Sequence, residues 1–132
     1  MNKEFVPYEQ ALALKELGFD EPCVYYVDKD NNSYIYNFQT HPDEFIEGCG
    51  VNVIPTPTFS QAFRWFREKY DLRIWIESNR GVLFYEYIIA TTNPSFINRQ
   101  FTNNEVFNTY EEAEQACLDK LIELVKTNET LH

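Results

Sequence analysis

Very few side chains in this sequence could carry out acid–base or nucleophilic chemistry. His41 and Cys49, within the stretch HPDEFIEGCG, are the one combination that could supply a general base and a thiol nucleophile. The other histidine, His132, is the final residue, and chain ends are seldom well ordered. The glycines on both sides of Cys49 suit a tight loop equally well. We therefore predict no catalytic residues and expect that the protein is not an enzyme.

Two patterns that are typical of bound groups are incomplete. Asp28, Asp30 and Asn32 match the first three ligands of an EF-hand calcium loop. Ser33, however, replaces its essential glycine, and Gln39 replaces its closing glutamate. The segment therefore predicts a polar turn. With only four glycines, the chain also has no glycine-rich loop that could cradle phosphate. We predict neither a metal nor a cofactor.

Cysteine usage and hydrophobicity indicate the compartment. Cys23, Cys49 and Cys117 are an odd number and show no C-x-x-C spacing, so we interpret them as reduced thiols. There is no secretory signal and no run of eighteen apolar residues. These features predict a cytoplasmic protein without a membrane segment.

Arginine and tryptophan are concentrated in the middle of the chain. Residues 55–101 carry six basic and four acidic side chains, whereas the remainder carries five lysines and seventeen acids. Guanidinium groups recognise phosphate and bases stack on aromatic rings, so a binding surface could lie in this segment. Its candidate residues are Arg64, Trp65, Arg67, Arg73, Trp75, Arg80, Phe84 and Arg99. Alternatively, the arginines only cover a solvated helix and hairpin. The net charge of −10 disfavours nucleic acid as the partner.

Periodicity and capping signals predict three helices that position these residues. They span about Pro7–Leu17, Thr58–Tyr70 and Tyr110–Lys126. In the second helix, one apolar stripe at helical spacing predicts the buried side, and Trp65 lies off it. The stripe consists of Phe59, Ala62, Phe63, Phe66 and Tyr70.

Two β-hairpins are predicted between the helices. Cys23–Val27 pairs with Tyr34–Phe38, and Leu72–Glu77 pairs with Val82–Ala90. Val51–Ile54 is a short edge strand that Pro55 and Pro57 end. In the second hairpin, a pairing of Glu77 with Val82 would place Trp75 opposite Phe84 and Arg73 opposite Glu86. The loop over 92–104 is long enough to suggest mobility or function.

These elements predict a single α+β domain over residues 1–132, in the order α-β-β-(β)-α-β-β-α, with helices on one face of an antiparallel sheet. The helix starts are 51 residues apart, which suggests two helix–hairpin units, about 7–54 and 58–108, followed by a helix over 109–126. Matching cap chemistry without duplication explains that spacing as well.

The other face of the predicted sheet is unusually apolar. Trp75, Phe84 and Ile88 lie on it, and Tyr26 of the first hairpin is a candidate to join them. Apolar patches of this kind mark partner surfaces or oligomer contacts. Either the third helix or the long loop covers this face, or another chain does.

Three ordered motifs carry a resemblance to a known family. They are EFVPYEQALALKELGFDEPC, PTFSQAFRWFREKYDL and TYEEAEQACLDKLIELVK. Together they resemble a family of small uncharacterised proteins encoded by phages, prophages and mobile elements of Bacteroides-type bacteria. The resemblance implies a cytosolic accessory protein, and it implies no activity, because that family has no assigned catalytic or binding residues.

Two functional classes follow. The first is a non-enzymatic accessory protein that binds a protein partner, or a second copy of itself as a dimer, through the aromatic sheet face or the acidic surface. The alternative is a nucleic-acid-binding protein that uses the arginine-rich segment and its tryptophans.

Overall fold

The computed structural model describes residues 4–40, 53–78, 84–96, 100–101 and 106–131, with the side chains of 35–40 and 129–131 excepted. Within these ranges the chain forms three helices, α1 (Tyr8–Glu16), α2 (Phe59–Tyr70) and α3 (Tyr110–Leu131). The strands are β1 (Cys23–Val27), β2 (Ser33–Thr40), β3 (Ile54–Thr56), β4 (Arg73–Ser78), β5 (Tyr85–Ala90) and β6 (Gln100–Phe101). The α+β class and the order of the predicted elements are confirmed.

The described strands form two antiparallel sheets of three strands each, ordered β2-β1-β3 and β4-β5-β6. The chain divides into two compact units, Met1–Gln61 and Ala62–His132, and each contains one of these sheets. In the first sheet the central strand is β1, the first strand of its hairpin. In the second sheet the central strand is β5, the second strand of its hairpin. The strand orders therefore differ between the two units. No helix within the described ranges is both long and apolar enough to cross a membrane.

In the first unit, α1 is fixed at both ends by backbone geometry. Gly18 adopts a φ of 102°, and its N–H donates to the Lys15 carbonyl at 3.0 Å. The Phe19 N–H donates to the Leu14 carbonyl at 3.0 Å, which completes a glycine cap at the end of the helix. At the other end, Pro7 is the N-cap residue. The helix therefore begins at Tyr8, one residue later than predicted.

The turn between β1 and β2 is the polar turn that residues 28–32 predict. Asp28 Oδ1 accepts hydrogen bonds from the backbone N–H groups of Asp30 and Asn32, at 3.0 and 2.9 Å. Asn31 has a φ of 63°, and its Oδ1 accepts the N–H of Tyr8 at 2.8 Å. The Asp28 oxygens thus bind the turn itself, and Asn31 supplies the side-chain cap that Pro7 cannot give to α1.

Two predictions for this sheet were wrong. Pro55 does not end β3 but lies within it, opposite Tyr26. Proline is tolerated there because β3 is an edge strand in this sheet, so the missing N–H need not interrupt a ladder. Tyr26 does not join an exposed aromatic face, because it is fully buried in the core of the first unit.

In the second unit, the hairpin of β4 and β5 has a different register from the predicted one. Trp75 lies opposite Ile88, not Phe84, and Arg73 lies opposite Ala90, not Glu86. Relative to the prediction, β5 is displaced by four residues along β4. An even displacement leaves every side chain on the predicted face, so the division into two faces is retained while the cross-strand partners change.

The remaining strand of the second unit comes from the loop predicted over 92–104. Gln100 and Phe101 form β6, which pairs with Ala90 and Ile89 of β5. Farther along the same side of β5, Phe107 exchanges two backbone hydrogen bonds with Tyr85, each of 2.8 Å. Phe96 is buried as well. The described parts of this loop are therefore built into the unit.

Helix α3 supplies the apolar layer of the second unit. Most of its apolar side chains are buried, although Tyr110 at one end is 44% exposed. The buried residues are Ala113, Cys117, Leu118, Leu121, Ile122 and Val125. At its start, the Glu112 N–H donates to Thr109 Oγ1 at 3.1 Å, and Glu112 Oε2 accepts the Asn108 N–H at 3.2 Å. The pair resembles a capping box, except that Glu112 accepts the N–H of Asn108, which precedes the cap residue Thr109.

Candidate interaction surface on the second sheet

The hairpin of β4 and β5 separates its side chains onto two faces of different chemistry. On the inner face, Tyr87 and Ile89 are buried, and the strands pack against α3. Ile74 and Ile76 lie opposite Ile89 and Tyr87 and are half-buried. The inner face is thus the one that α3 covers.

Trp75 is the centre of the outer face. It lies opposite Ile88, and 49% of its surface is exposed, the highest fraction among the large apolar side chains in the described part of the chain. An indole is the largest apolar side chain, and proteins normally bury most of it. A tryptophan left half in water on the face of a sheet is typical of a contact surface.

The charges around Trp75 are arranged along the strand. Arg73 and Glu77 lie two residues before and after it, on the same face. Glu77 lies directly opposite Glu86, and like charges in that position repel each other. Arg73 Nη2 contacts Asp71 Oδ1 at 3.3 Å in an exposed ion pair. The outer face therefore has an apolar centre with a cationic end and an anionic end.

Asp71 holds the beginning of β4 in place. Its φ is 58°, and its N–H donates to the Arg67 carbonyl at 3.1 Å, which ends α2. Its Oδ2 accepts the Thr92 hydroxyl at 2.6 Å and the Thr92 N–H at 3.0 Å. These hydrogen bonds from the Thr92 side chain and backbone, with the charge of Arg73, lower the pKa of Asp71. The carboxylate thus joins the end of α2 to the segment after β5.

The predicted site residues divide between different elements. Arg73 and Trp75 lie together on the outer face of β4, and Phe84 is half-buried just before β5 begins. Arg64 and Arg67 are exposed on α2 instead. Arg80 and Arg99 lie outside the described residues. So do His41 and Cys49, the one combination considered for nucleophilic chemistry.

Trp65 is not available as a stacking platform, which corrects its place among the predicted site residues. It is 6% exposed and packs edge-to-face against Phe66 and Tyr70, at centroid distances of 5.0 and 5.5 Å. The ammonium of Lys69 lies 5.0 Å from the centre of its ring. Phe63, which was predicted to be in the core stripe, is only half-buried. The buried side of α2 is therefore rotated toward Trp65.

The described residues do not assemble a reactive group. Cys117 is fully buried, and burial raises the pKa of its thiol. Burial, with the nearby charge of Glu21, raises the pKa of Cys23 to about 12. Thiols of this kind are poor nucleophiles. Within the described ranges, no cluster of three histidine, cysteine or acidic residues could hold a metal ion.

One acidic group in the second unit has a strongly shifted pKa. Burial, with repulsion from Glu111, raises the pKa of Glu114 on α3 to about 7. Its neighbours are Tyr110 one turn before and Cys117 one turn after, and the pKa of the Tyr110 hydroxyl is raised by burial and by Glu114. A carboxyl group with a raised pKa makes the stability of the folded protein depend on pH.

Sequence reasoning missed three residues of this surface. Asp71 gave a signal, since aspartate tolerates the left-handed conformation that ends a helix. Glu77 and Glu86 gave no signal in the sequence. They lie opposite each other, and cross-strand pairing rules disfavour a register that opposes two acids.

Comparison of the chain with protein-family models, with curated proteins and with solved structures finds no match.

Proposed function

We propose that this chain is a non-enzymatic accessory protein that binds another protein chain through the outer face of the β4–β5 hairpin. The single observation that carries the proposal is the exposure of Trp75, 49% of whose surface is open to solvent beside Ile88. Tryptophans in such positions dominate the binding energy of many protein interfaces. The resemblance of the sequence to proteins of phages and mobile elements supports an accessory role.

A sheet face is a better candidate than the acidic surface. Excess acidic side chains keep a small domain soluble whether or not they bind anything. An exposed indole has no such role, because it costs free energy in water. Arg73 and Glu77 place a positive and a negative charge at opposite ends of the face. This arrangement favours a partner whose charges run in the opposite order.

Nucleic acid fits this surface less well than a protein does. Trp65 is buried, and Glu77 and Glu86 place two carboxylates on the same face as Trp75. Phosphate would be repelled by those carboxylates. Nucleic-acid binding is therefore measured separately, as the result that would contradict the proposal.

The test is affinity capture from a lysate of a Bacteroides-type host, with the wild-type chain, Trp75→Thr and Tyr110→Ala as baits. Threonine keeps a high strand propensity at position 75, and Tyr110 is a comparably exposed aromatic residue of the same unit whose ring packs on Tyr85. We expect bound protein to be lost with Trp75→Thr and kept with Tyr110→Ala. Equal capture by all three baits would contradict the proposal.

A second arm measures binding of labelled single- and double-stranded DNA and RNA by fluorescence anisotropy at low and physiological salt. We expect no binding that depends steeply on salt. Salt-dependent binding that is lost when Arg64 and Arg67 are both replaced by alanine would overturn the proposal in favour of a nucleic-acid-binding protein.

A further inference from the structure

The outer face of the second sheet ends at a strand edge. In the order β4-β5-β6, β4 pairs only with β5 among the described residues. Its six residues pair in continuous register, and it contains no proline or glycine. Edge strands of soluble proteins are usually blunted by bulges, proline or inward-pointing charges. The edge of β4 shows no bulge, proline or inward-pointing charge in the described part of the unit. Its two charged side chains, Arg73 and Glu77, have opposite signs, so the edge is suited to pairing with a strand of complementary charge.

The sequence of β4 is self-complementary around Trp75. Arg73 precedes Trp75 by two residues and Glu77 follows it by two, with Ile74 and Ile76 between them. If two copies of β4 lie antiparallel about a two-fold axis at Trp75, Arg73 of each faces Glu77 of the other. Ile74 faces Ile76, and the two indoles face each other. In such an isologous contact the Arg73–Glu77 and Ile74–Ile76 pairs each occur twice, and the pair of indoles occurs once, on the axis.

We propose that the partner of this surface is a second copy of the same chain, joined by antiparallel pairing of the two β4 strands with Trp75 at the two-fold axis. This inference rests on the proposed function and names the partner for the same face. The result is a continuous six-stranded sheet, built from two sheets of three strands.

Charge selects this register over its neighbours. A displacement of two residues in one direction sets Glu77 opposite Asp71 of the second copy, so like charges meet. A displacement of two in the other direction sets Trp75 opposite Glu77, and the ion pairs are lost. A displacement of one would oppose outer-face and inner-face residues. The register centred on Trp75 is the one that satisfies both charged residues.

The same register offsets the repulsion inside each copy. Glu77 lies between Glu86 on its own sheet and, across the new edge, the guanidinium of Arg73 from the second copy. The exposed ion pair between Arg73 and Asp71 does not prevent this, because surface pairs of that kind contribute little. A six-residue edge buries less area than a standard interface, so the dimer should be weak and concentration-dependent.

The test is sedimentation velocity over a concentration series from about 1 µM to about 1 mM, a range that resolves a small, weak interface. We expect the wild-type chain to shift from monomer toward dimer. Arg73→Glu and Glu77→Arg, each alone, should weaken self-association roughly tenfold or more, since each places like charges opposite each other twice. Arg67→Glu and Glu68→Arg make the same charge changes at exposed positions of α2 and should leave it unchanged.

A mixture of Arg73→Glu and Glu77→Arg tests the proposed register through a recovery of association, so the result does not depend on a loss of association alone. In an equimolar mixture, every charge introduced in one chain faces an opposite charge in the other. We expect the mixture to form heterodimers about as well as the wild-type chain forms homodimers. Failure of the mixture to associate, while the wild-type chain does, would overturn the proposed register.

A wild-type chain that remains monomeric throughout the series would overturn self-association. The proposed function would then stand only if the wild-type bait captures another protein in a manner that requires Trp75. Without such capture the proposed function would fail together with the dimer. The two failures are therefore distinguishable.

Discussion

Glu77 of β4 lies directly opposite Glu86 of β5, so two carboxylates face each other on the outer face of the second sheet. Their repulsion lowers the stability of the hairpin. Glu77 also flanks Trp75, so it makes one end of the exposed face negative.

Replacing one of these acids should stabilise the protein. Glu86→Lys converts a repulsive cross-strand pair into an attractive one, and we expect the free energy of unfolding to rise by about 0.2–1 kcal/mol. Urea titration measures the change, with Glu68→Lys on the exposed side of α2 as the matched control. A decrease in stability for Glu86→Lys would indicate that the observed register does not hold in solution.

Asp71 should contribute to stability in a pH-dependent way. Its pKa is lowered in the folded protein, so its contribution is present above the unfolded value of about 3.9 and is lost as the pH falls through the folded value. We expect Asp71→Ala to lower the Tm at pH 7 and to have a smaller effect at strongly acidic pH.

Two comparisons complete that experiment. Asp30→Ala changes an exposed aspartate in the turn between β1 and β2 and should change the Tm little. Asp71→Asn keeps the tolerance for positive φ but weakens the interaction with Thr92 and Arg73, so its Tm should lie between those of Asp71→Ala and the wild type. Equal Tm values for Asp71→Ala and the wild type at pH 7 would refute the anchoring role.

Glu114 should have the opposite dependence. Its pKa is raised to about 7 in the folded protein, so its carboxyl group favours the folded state below the unfolded value of about 4.3. That contribution is lost as the pH rises through about 7. We expect Glu114→Gln to raise the Tm at pH 8 more than at pH 5. Glu68→Gln, an exposed site with the same chemical change, should show no such difference, and parallel pH profiles for Glu114→Gln and the wild type would refute the shift.

The two tryptophans should differ sharply in solvent access. Trp65 is 6% exposed and Trp75 is 49% exposed. In dilute solution, Trp75→Phe leaves only the buried indole, and we expect blue-shifted emission that acrylamide quenches weakly. Trp65→Phe leaves only the exposed indole, and we expect red-shifted emission that acrylamide quenches strongly. Similar quenching in the two variants would contradict the orientation of the outer face.

The sequence predicted the elements of the fold better than their relations. The three helices and both hairpins follow from periodicity and caps, because those signals are local. The register of the second hairpin does not, because a displacement by four residues preserves the alternation of faces on which the prediction depends. β6 has only two residues, Gln100 and Phe101, which is too short for any alternation to appear.

The candidate site was predicted in part for the same reason. Trp75 was placed on the correct face, since its face depends only on alternation along β4. Trp65 was misplaced among the binding residues, because α2 carries aromatic residues on adjacent sides and the pattern does not fix which side turns inward. Phe63 and Trp65 compete for that side, and the burial of Trp65 against Phe66 and Tyr70 decides it.

The proposed dimer places Trp75 of one copy directly beside Trp75 of the other. The most direct measurement is acrylamide quenching of Trp65→Phe, in which Trp75 is the only indole, as the protein concentration is raised through the range in which self-association is expected. We predict that the quenching constant falls as Trp75 becomes covered, and that Arg73→Glu in the same background abolishes the fall. A quenching constant that stays the same at every concentration would contradict self-association through Trp75.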